Sequence, residues 1–229
     1  MQAAWDESAA VEETTVRIAV LAASLIASWL IVLPLGVAAA QTRMPELAPG
    51  QMSSEQKSMY DAIMAGPRHS IEGPFNMWLR SPDLGNRLQR VGEYLRFNTT
   101  MPRNLNEFAI LITAVEWKSG FEWFAHYPLA IKAGLEPAVA KDLQEGRRPA
   151  NMTADETLVY DFATQLQRQK QVSDTVYAAA VKRFGEQGVT DLVALLGYYN
   201  LVSMTLNVAQ VQAPANAGPT LAAPAPVTQ

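Results

Sequence analysis

Between residues 53 and 211 no run alternates apolar and polar residues for long, and a half-buried strand needs that alternation. What the stretch carries is helix punctuation at short intervals. Ser53 with Gln56, and Thr153 with Glu156, have the spacing of capping boxes, in which two orphan amides at a helix start are satisfied reciprocally. The first box predicts a helix to about Ala65, followed by "GPRHSIEGPF" as a loop. Pro82 suits a first helical position, and Leu84, Leu88, Val91 and Leu95 keep helical spacing behind it. A third helix starts near Pro102 and runs through "LNEFAILITAVEW". Gly120 marks the joint to "FEWFAHYPLAIKAG", which Gly134 terminates. Pro137 opens a short helix, the Thr153 box opens one to about Lys170, and Ser173 caps another that ends at Gly185. "VTDLVALLGYYNLVSMTLNVAQV" closes the series. The fold class read from this pattern is all-α.

The last segment is apolar on nearly every side, with Leu192, Val193, Leu195, Leu196, Leu201, Val202, Met204 and Leu206. A helix of that kind is buried all round. In a domain this small, the reading favoured is a subunit interface and hence self-association. The central helix of a monomeric bundle is the alternative.

Two flanks lie outside the helical series. Residues 18–40, "IAVLAASLIASWLIVLPLGVAAA", are uncharged and long enough to span a bilayer. Pro34 and Gly36 break the pattern near its end, and Ala38-Ala39-Ala40 is a small-residue cleavage site. Residues 1–40 are therefore expected to be a signal peptide, giving an exported, periplasmic protein. The alternative is a membrane anchor to the inner membrane through residues 18–40. Residues 41–52, "QTRMPELAPGQM", read as a linker. Residues 212–229 are Ala/Pro-rich and read as a disordered tail. The folded domain is then 53–211.

Composition removes several kinds of chemistry. The chain has no cysteine, so a disulfide, a thiolate nucleophile and a Cys-ligated metal are all impossible. His69 and His126 are its only histidines, too few for a multi-histidine metal centre. No carboxylate spacing suggests a metal either. Asp6, Glu7, Glu12 and Glu13 oppose Arg17 within residues 1–40, so the remainder carries 17 basic and 18 acidic residues, a net charge of −1. Such a surface has no electrostatic footprint for nucleic acid.

The candidate chemistry is in "EWKSGFEWFAHYPLAIKAGL", residues 116–135. Glu122 and His126 are four apart and share a helix face. Ser119 lies three before Glu122, and Trp123 and Phe124 flank the line. A carboxylate beside an imidazole in an aromatic pocket forms a proton-transfer pair, although the same spacing also occurs in ordinary solvated helix pairs. Glu107 precedes the core run "FAILITAV". It reads equally as a functional carboxylate and as an acid favoured by the helix dipole.

These residues resemble a known family. "NEFAILITAVEWKSGFEWFAHYPLAIKAGL" is similar to the centre of the carboxymuconolactone decarboxylase family, which shares the alkylhydroperoxidase D-like fold. The resemblance begins at "SSEQKSMYDAIMAGPR", includes "GPF" and "SPDLGNRLQRVGEYLRF", and continues through "VYDFATQL" and "VSDTVYAAAVKRFGEQGVTDLVALLGYYNLVSMTLNV". It implies a helical bundle that assembles as a trimer or hexamer. In the peroxidase branch a glutamate, a Cys-x-x-Cys pair and a histidine map onto Glu107, Ser119, Glu122 and His126. Both cysteine positions are lost here, which disfavours thiol peroxidase activity. The decarboxylase branch has Glu-Trp-x-x-His, matched by Glu122, Trp123 and His126. An Arg that the family often places before the third-helix glutamate is Asn106 here, which leaves substrate choice open. The resemblance implies carboxy-lyase-like chemistry without a cofactor on a small lactone or cyclic carboxylic acid. His126 would be the proton donor, held by Glu122 and tuned by Glu107. Trp117, Trp123 and Tyr199 would wall the substrate off from water, with Ser119 beside it. A non-catalytic small-molecule-binding protein that kept the pocket is the alternative.

Overall fold

The computed structural model describes residues 42–222 and Pro224. The expected signal peptide or anchor, residues 1–40, lies outside the described residues. Among them are eight α-helices and no strand. They are α1 (Ser54–Ala65), α2 (Phe75–Trp78), α3 (Pro82–Phe97), α4 (Arg103–Glu116), α5 (Gly120–Lys132), α6 (Pro137–Gln144), α7 (Ala154–Thr164) and α8 (Asp174–Ala209).

Local chemistry sets most boundaries. Both capping boxes form, at Ser53 and Thr153. Pro82 and Pro137 occupy the first turns of α3 and α6. Lys118 adopts a left-handed φ of 50° and Gly134 one of 104°, so the chain turns sharply on either side of α5. The helix expected to reach Lys170 stops being α-helical at Thr164. A π-helical turn over Gln165–Gln169 completes it. That wider turn lets Gln167 donate to Thr113 Oγ1 at 3.1 Å and Arg168 pair with Glu116. At Gly185, φ 73° and ψ 171° break α8 where a helix end was expected.

The helix buried on every side is α4. Residues 105–114 are all buried, enclosed by α5, α6, α7 and α8. Phe108 has no exposure at all, and truncating such a side chain to alanine costs roughly 3–5 kcal/mol. The expectation of all-round burial for the last helix is not met within one chain. Leu192, Leu195, Leu196, Val202 and Leu206 face the core, but Val193, Leu201, Met204 and Val208 are exposed on one stripe. Among the described residues α8 alone is long and apolar enough to cross a membrane. Its inward half is core.

The apolar spacing of Leu84, Leu88, Val91 and Leu95 on α3 is split between core and solvent. Leu84 and Val91 are 52% and 47% exposed, while Gly85, Gln89, Gly92 and Leu95 are buried. Close approach decides the orientation. A Cβ on Gly85 would lie 2.8 Å from the Trp78 carbonyl oxygen, and one on Gly92 would collide with Tyr198 Oη and lie 2.6 Å from Arg68 Nη2. Only the small-residue face fits inward.

The described ends of the chain are tied to the domain. Thr42 Oγ1 and the Arg43 amide each donate to the Ala209 carbonyl at 2.8 Å, satisfying an orphan carbonyl at the end of α8. In the stretch expected to be a disordered tail, Gln144 Nε2 donates to the Thr220 carbonyl at 2.8 Å and Leu221 packs on the core. Its described part therefore lies along the domain, because Leu221 finds an apolar surface to bury against.

Candidate active site

Glu107 interrupts the buried run of α4, and a carboxylate there must find a partner. It finds one on the next helix. His126 Nδ1 lies 2.7 Å from Glu107 Oε2, with both side chains almost sealed from solvent. Burial opposes ionisation of Glu107. The hydrogen bond and charge of His126, helped by Arg96 and Arg103, outweigh it and hold the carboxyl below its ordinary value. Arg103, one turn back on α4 and half exposed, stands 3.8 Å from Oε1. An ionised carboxylate only accepts hydrogen bonds, so His126 presents an N–H to it through Nδ1.

Nε2 faces Glu122, the third residue of α5. Glu122 Oε2 is 3.5 Å away, at the outer edge of hydrogen-bond reach. Burial pushes the Glu122 carboxyl above its ordinary value and outweighs the attraction of His126, Arg96 and Arg68. Oε2 is buried with no hydrogen-bond partner among the described residues. The two carboxylates flanking one imidazole are thus driven in opposite directions, Glu107 toward the anion and Glu122 toward the acid. That separation is how a site divides acid and base roles between like groups. The orienting partner of His126 is Glu107, on another helix, and not the Glu122 anticipated from spacing.

A cavity of about 320 Å³ opens beside Glu122 and His126. Pro128 lines it as well, and its missing amide removes one intrahelical bond from α5. Phe75, Phe121 and Val202 form apolar wall, and Tyr198 and Tyr199 line the cavity as well. Tyr199 meets the His126 ring edge-on, centroids 5.1 Å apart. Burial pushes the Tyr198 phenol up to about 12 and Tyr199 well above its usual value, so both stay neutral donors.

Of the residues expected at the site, Glu122, His126 and Tyr199 line the cavity, with Glu107 directly behind His126. The other three do not line it. Trp123 has no exposure and stacks on Tyr127 at 5.7 Å. It lies 100° round the helix from Glu122, which turns it into the core. Trp117 precedes the Lys118 turn and donates through Nε1 to Asn200 Oδ1, beside a separate depression. Ser119 is the buried N-cap residue of α5, and its hydroxyl makes no cap bond. Asn106 points away as well, donating to the Leu95 carbonyl at 2.6 Å and so tying α4 to α3.

Sequence reasoning missed Arg68, Arg96, Phe75, Phe121 and Tyr198, which all line the cavity. One signal pointed to Arg96: it continues the inward register of Gly85, Gln89 and Gly92 on α3. Arg68 sits in the loop after α1 and carried no periodic signal. Fold and site together define a class: an all-helical protein with a buried carboxylate–imidazole–carboxylate line opening on an aromatic, arginine-lined cavity. No protein-family model matches the chain, and no curated protein is similar to it.

Proposed function

We propose that the chain is an exported, cofactor-free enzyme of the carboxymuconolactone decarboxylase type, with the alkylhydroperoxidase D-like arrangement of helices. It acts on a small lactone or cyclic carboxylic acid, by decarboxylation or related proton transfer. The observation that carries the reading is the Glu107–His126–Glu122 line, buried throughout and open to the cavity only at its Glu122–His126 end.

In decarboxylation, the bond between the ring carbon and the carboxylate breaks and carbon dioxide leaves. The electron pair moves into the adjacent carbonyl as an enolate. Glu122, whose carboxyl burial pushes toward the protonated form, passes its proton through or beside His126 Nε2 to the enolate carbon. Glu107 stabilises the imidazolium that forms transiently, and solvent returns the proton. The neutral hydroxyls of Tyr198 and Tyr199 are the available donors for the enolate oxygen. The apolar walls favour loss of a charged carboxylate by withholding water.

Self-association, as a trimer or hexamer, belongs to the same proposal. It is supported by the apolar residues that α3 and α8 expose, Leu84, Val91, Val193, Leu201, Met204 and Val208, which a second copy would cover. Export rests on the composition of residues 18–40. The test of function incubates the protein with γ-lactone carboxylates in deuterium oxide. Release of carbon dioxide, or deuterium gain at the carbon beside the carbonyl, supports the proposal. Neither event across the panel overturns it.

A further inference from the structure

Most arginines on this protein's surface are paired. Arg87 meets Asp83, Arg147 meets Asp142, Arg148 meets Asp161, Arg168 meets Glu116 and Arg183 meets Asp155. Two that line the cavity reverse the pattern. Nε and Nη2 of Arg68 and Nε of Arg96 are buried and have no hydrogen-bond partner among the described residues. Both side chains are half-buried, and guanidinium nitrogens shielded from water are ordinarily paired, because an uncompensated charge there is costly. The nearby acids do not serve. Glu107 is engaged by His126, Glu122 is pushed toward its neutral form by burial, and Glu72 is an exposed residue at the cavity edge.

We infer that Arg68 and Arg96 form an anion subsite that holds the ligand by a carboxylate and selects acids over esters and neutral lactones. The planar fork of a guanidinium matches the two oxygens of a carboxylate. The fold positions Arg68 for this task. Its Cζ lies 5.2 Å from the centre of the Phe75 ring, and Gly92 leaves room for Nη2 against α3. Burial, the largest influence, lowers the Arg68 pKa from its usual value, and the like charge of Arg96 adds to it. An incoming anion relieves both effects. Phe75, Phe121 and Val202 then receive the apolar body of the acid. A carboxylate gripped in this way is stabilised as the anion, so it is the anchor and not the group that departs as carbon dioxide. A substrate that is decarboxylated carries its leaving carboxylate elsewhere on the ring.

The inference rests on the proposed function only for the kind of ring that carries the acid. Its test is binding, read by titration calorimetry on the full chain with 5-oxotetrahydrofuran-2-carboxylate and its methyl ester. The acid should bind about 10-fold or more tightly than the ester, because charge-assisted hydrogen bonds are lost with the charge. Arg68→Gln and Arg96→Gln should each lower the affinity for the acid about 10-fold and leave the ester unchanged. If either variant fails to fold, Arg68→Lys or Arg96→Lys replaces it: the charge stays, the fork is lost, and the acid should still weaken. Equal binding of acid and ester, unchanged acid affinity in the folded variants, or no acid binding at about 10 mM would each overturn the subsite. The two readings fail separately. Acid selectivity without turnover sinks the enzyme alone. Turnover that His126→Ala abolishes, with acid and ester bound alike, sinks the anion subsite alone.

Discussion

Replacing Glu122 by glutamine should stabilise the protein while removing its activity, and the stabilisation should depend on pH. The Glu122 side chain is 5% exposed, and its Oε2 has no hydrogen-bond partner among the described residues. Desolvation is the largest influence on it. It exceeds the attraction of His126, Arg96 and Arg68 and raises the carboxyl above 4.5. The folded protein therefore holds this proton more tightly than the unfolded chain does. Below pH 4.5 both states are protonated and the group costs nothing. As pH rises from there through the folded value, the native state must give up a proton it favours, and stability falls. Glutamine cannot titrate and escapes that loss. Ionising a buried carboxyl that has no hydrogen-bond partner costs about 1–3 kcal/mol. In a domain of this size each kcal/mol moves Tm by about 2–4 °C. Calorimetric melts of both proteins at pH 4, 6 and 8 should show near-equal Tm at pH 4, and a variant about 2–12 °C higher at pH 8. A difference that does not grow with pH, or a variant less stable at pH 8, would refute the reasoning. It would mean that the ionised carboxylate is compensated by the arginines after all.

His126→Ala should reduce turnover of any accepted substrate about 10²–10⁴-fold, the usual worth of general acid catalysis; a folded variant with unchanged turnover ends the proton-transfer reading. Gly92→Ala forces a Cβ onto Tyr198 Oη and to 2.6 Å from Arg68 Nη2, so it should cost about 1–3 kcal/mol by overpacking and weaken acid binding; denaturant melts with calorimetry of the lactone carboxylate check both. Light scattering should give a trimer or hexamer that Leu201→Glu with Val193→Glu dissociates, and a monomer mass for the unaltered chain at micromolar concentration counts against self-association. Mass spectrometry of the native N-terminus should find residues 1–40 removed, whereas an intact Met1 on membrane-bound protein favours the anchor.

Much of this architecture was legible in the chain because its signals are local. A capping box at Ser53 or Thr153 closes over three residues, a proline at 82 or 137 acts on its own turn, and a glycine at 134 or 185 accepts a φ that other residues resist. Glu122 and His126 share a face for the same reason, through the helical repeat alone. What only tertiary structure decided are the partners brought from other elements. Glu107 closes on His126 across 19 residues. Arg68 arrives from a loop and Arg96 from α3, and neither spacing nor composition brings them to one cavity. The same holds for which side of α3 turns inward. Hydrophobicity favoured Leu84 and Val91, but the Trp78 carbonyl and the Tyr198 ring approach so closely that only the Gly85–Gly92 face fits. Local hydrogen bonds are set by neighbours in the chain, so a sequence carries them directly. The environment of a buried charge, and the room beside a helix, are set by what packs there, and that exists only once the chain has folded.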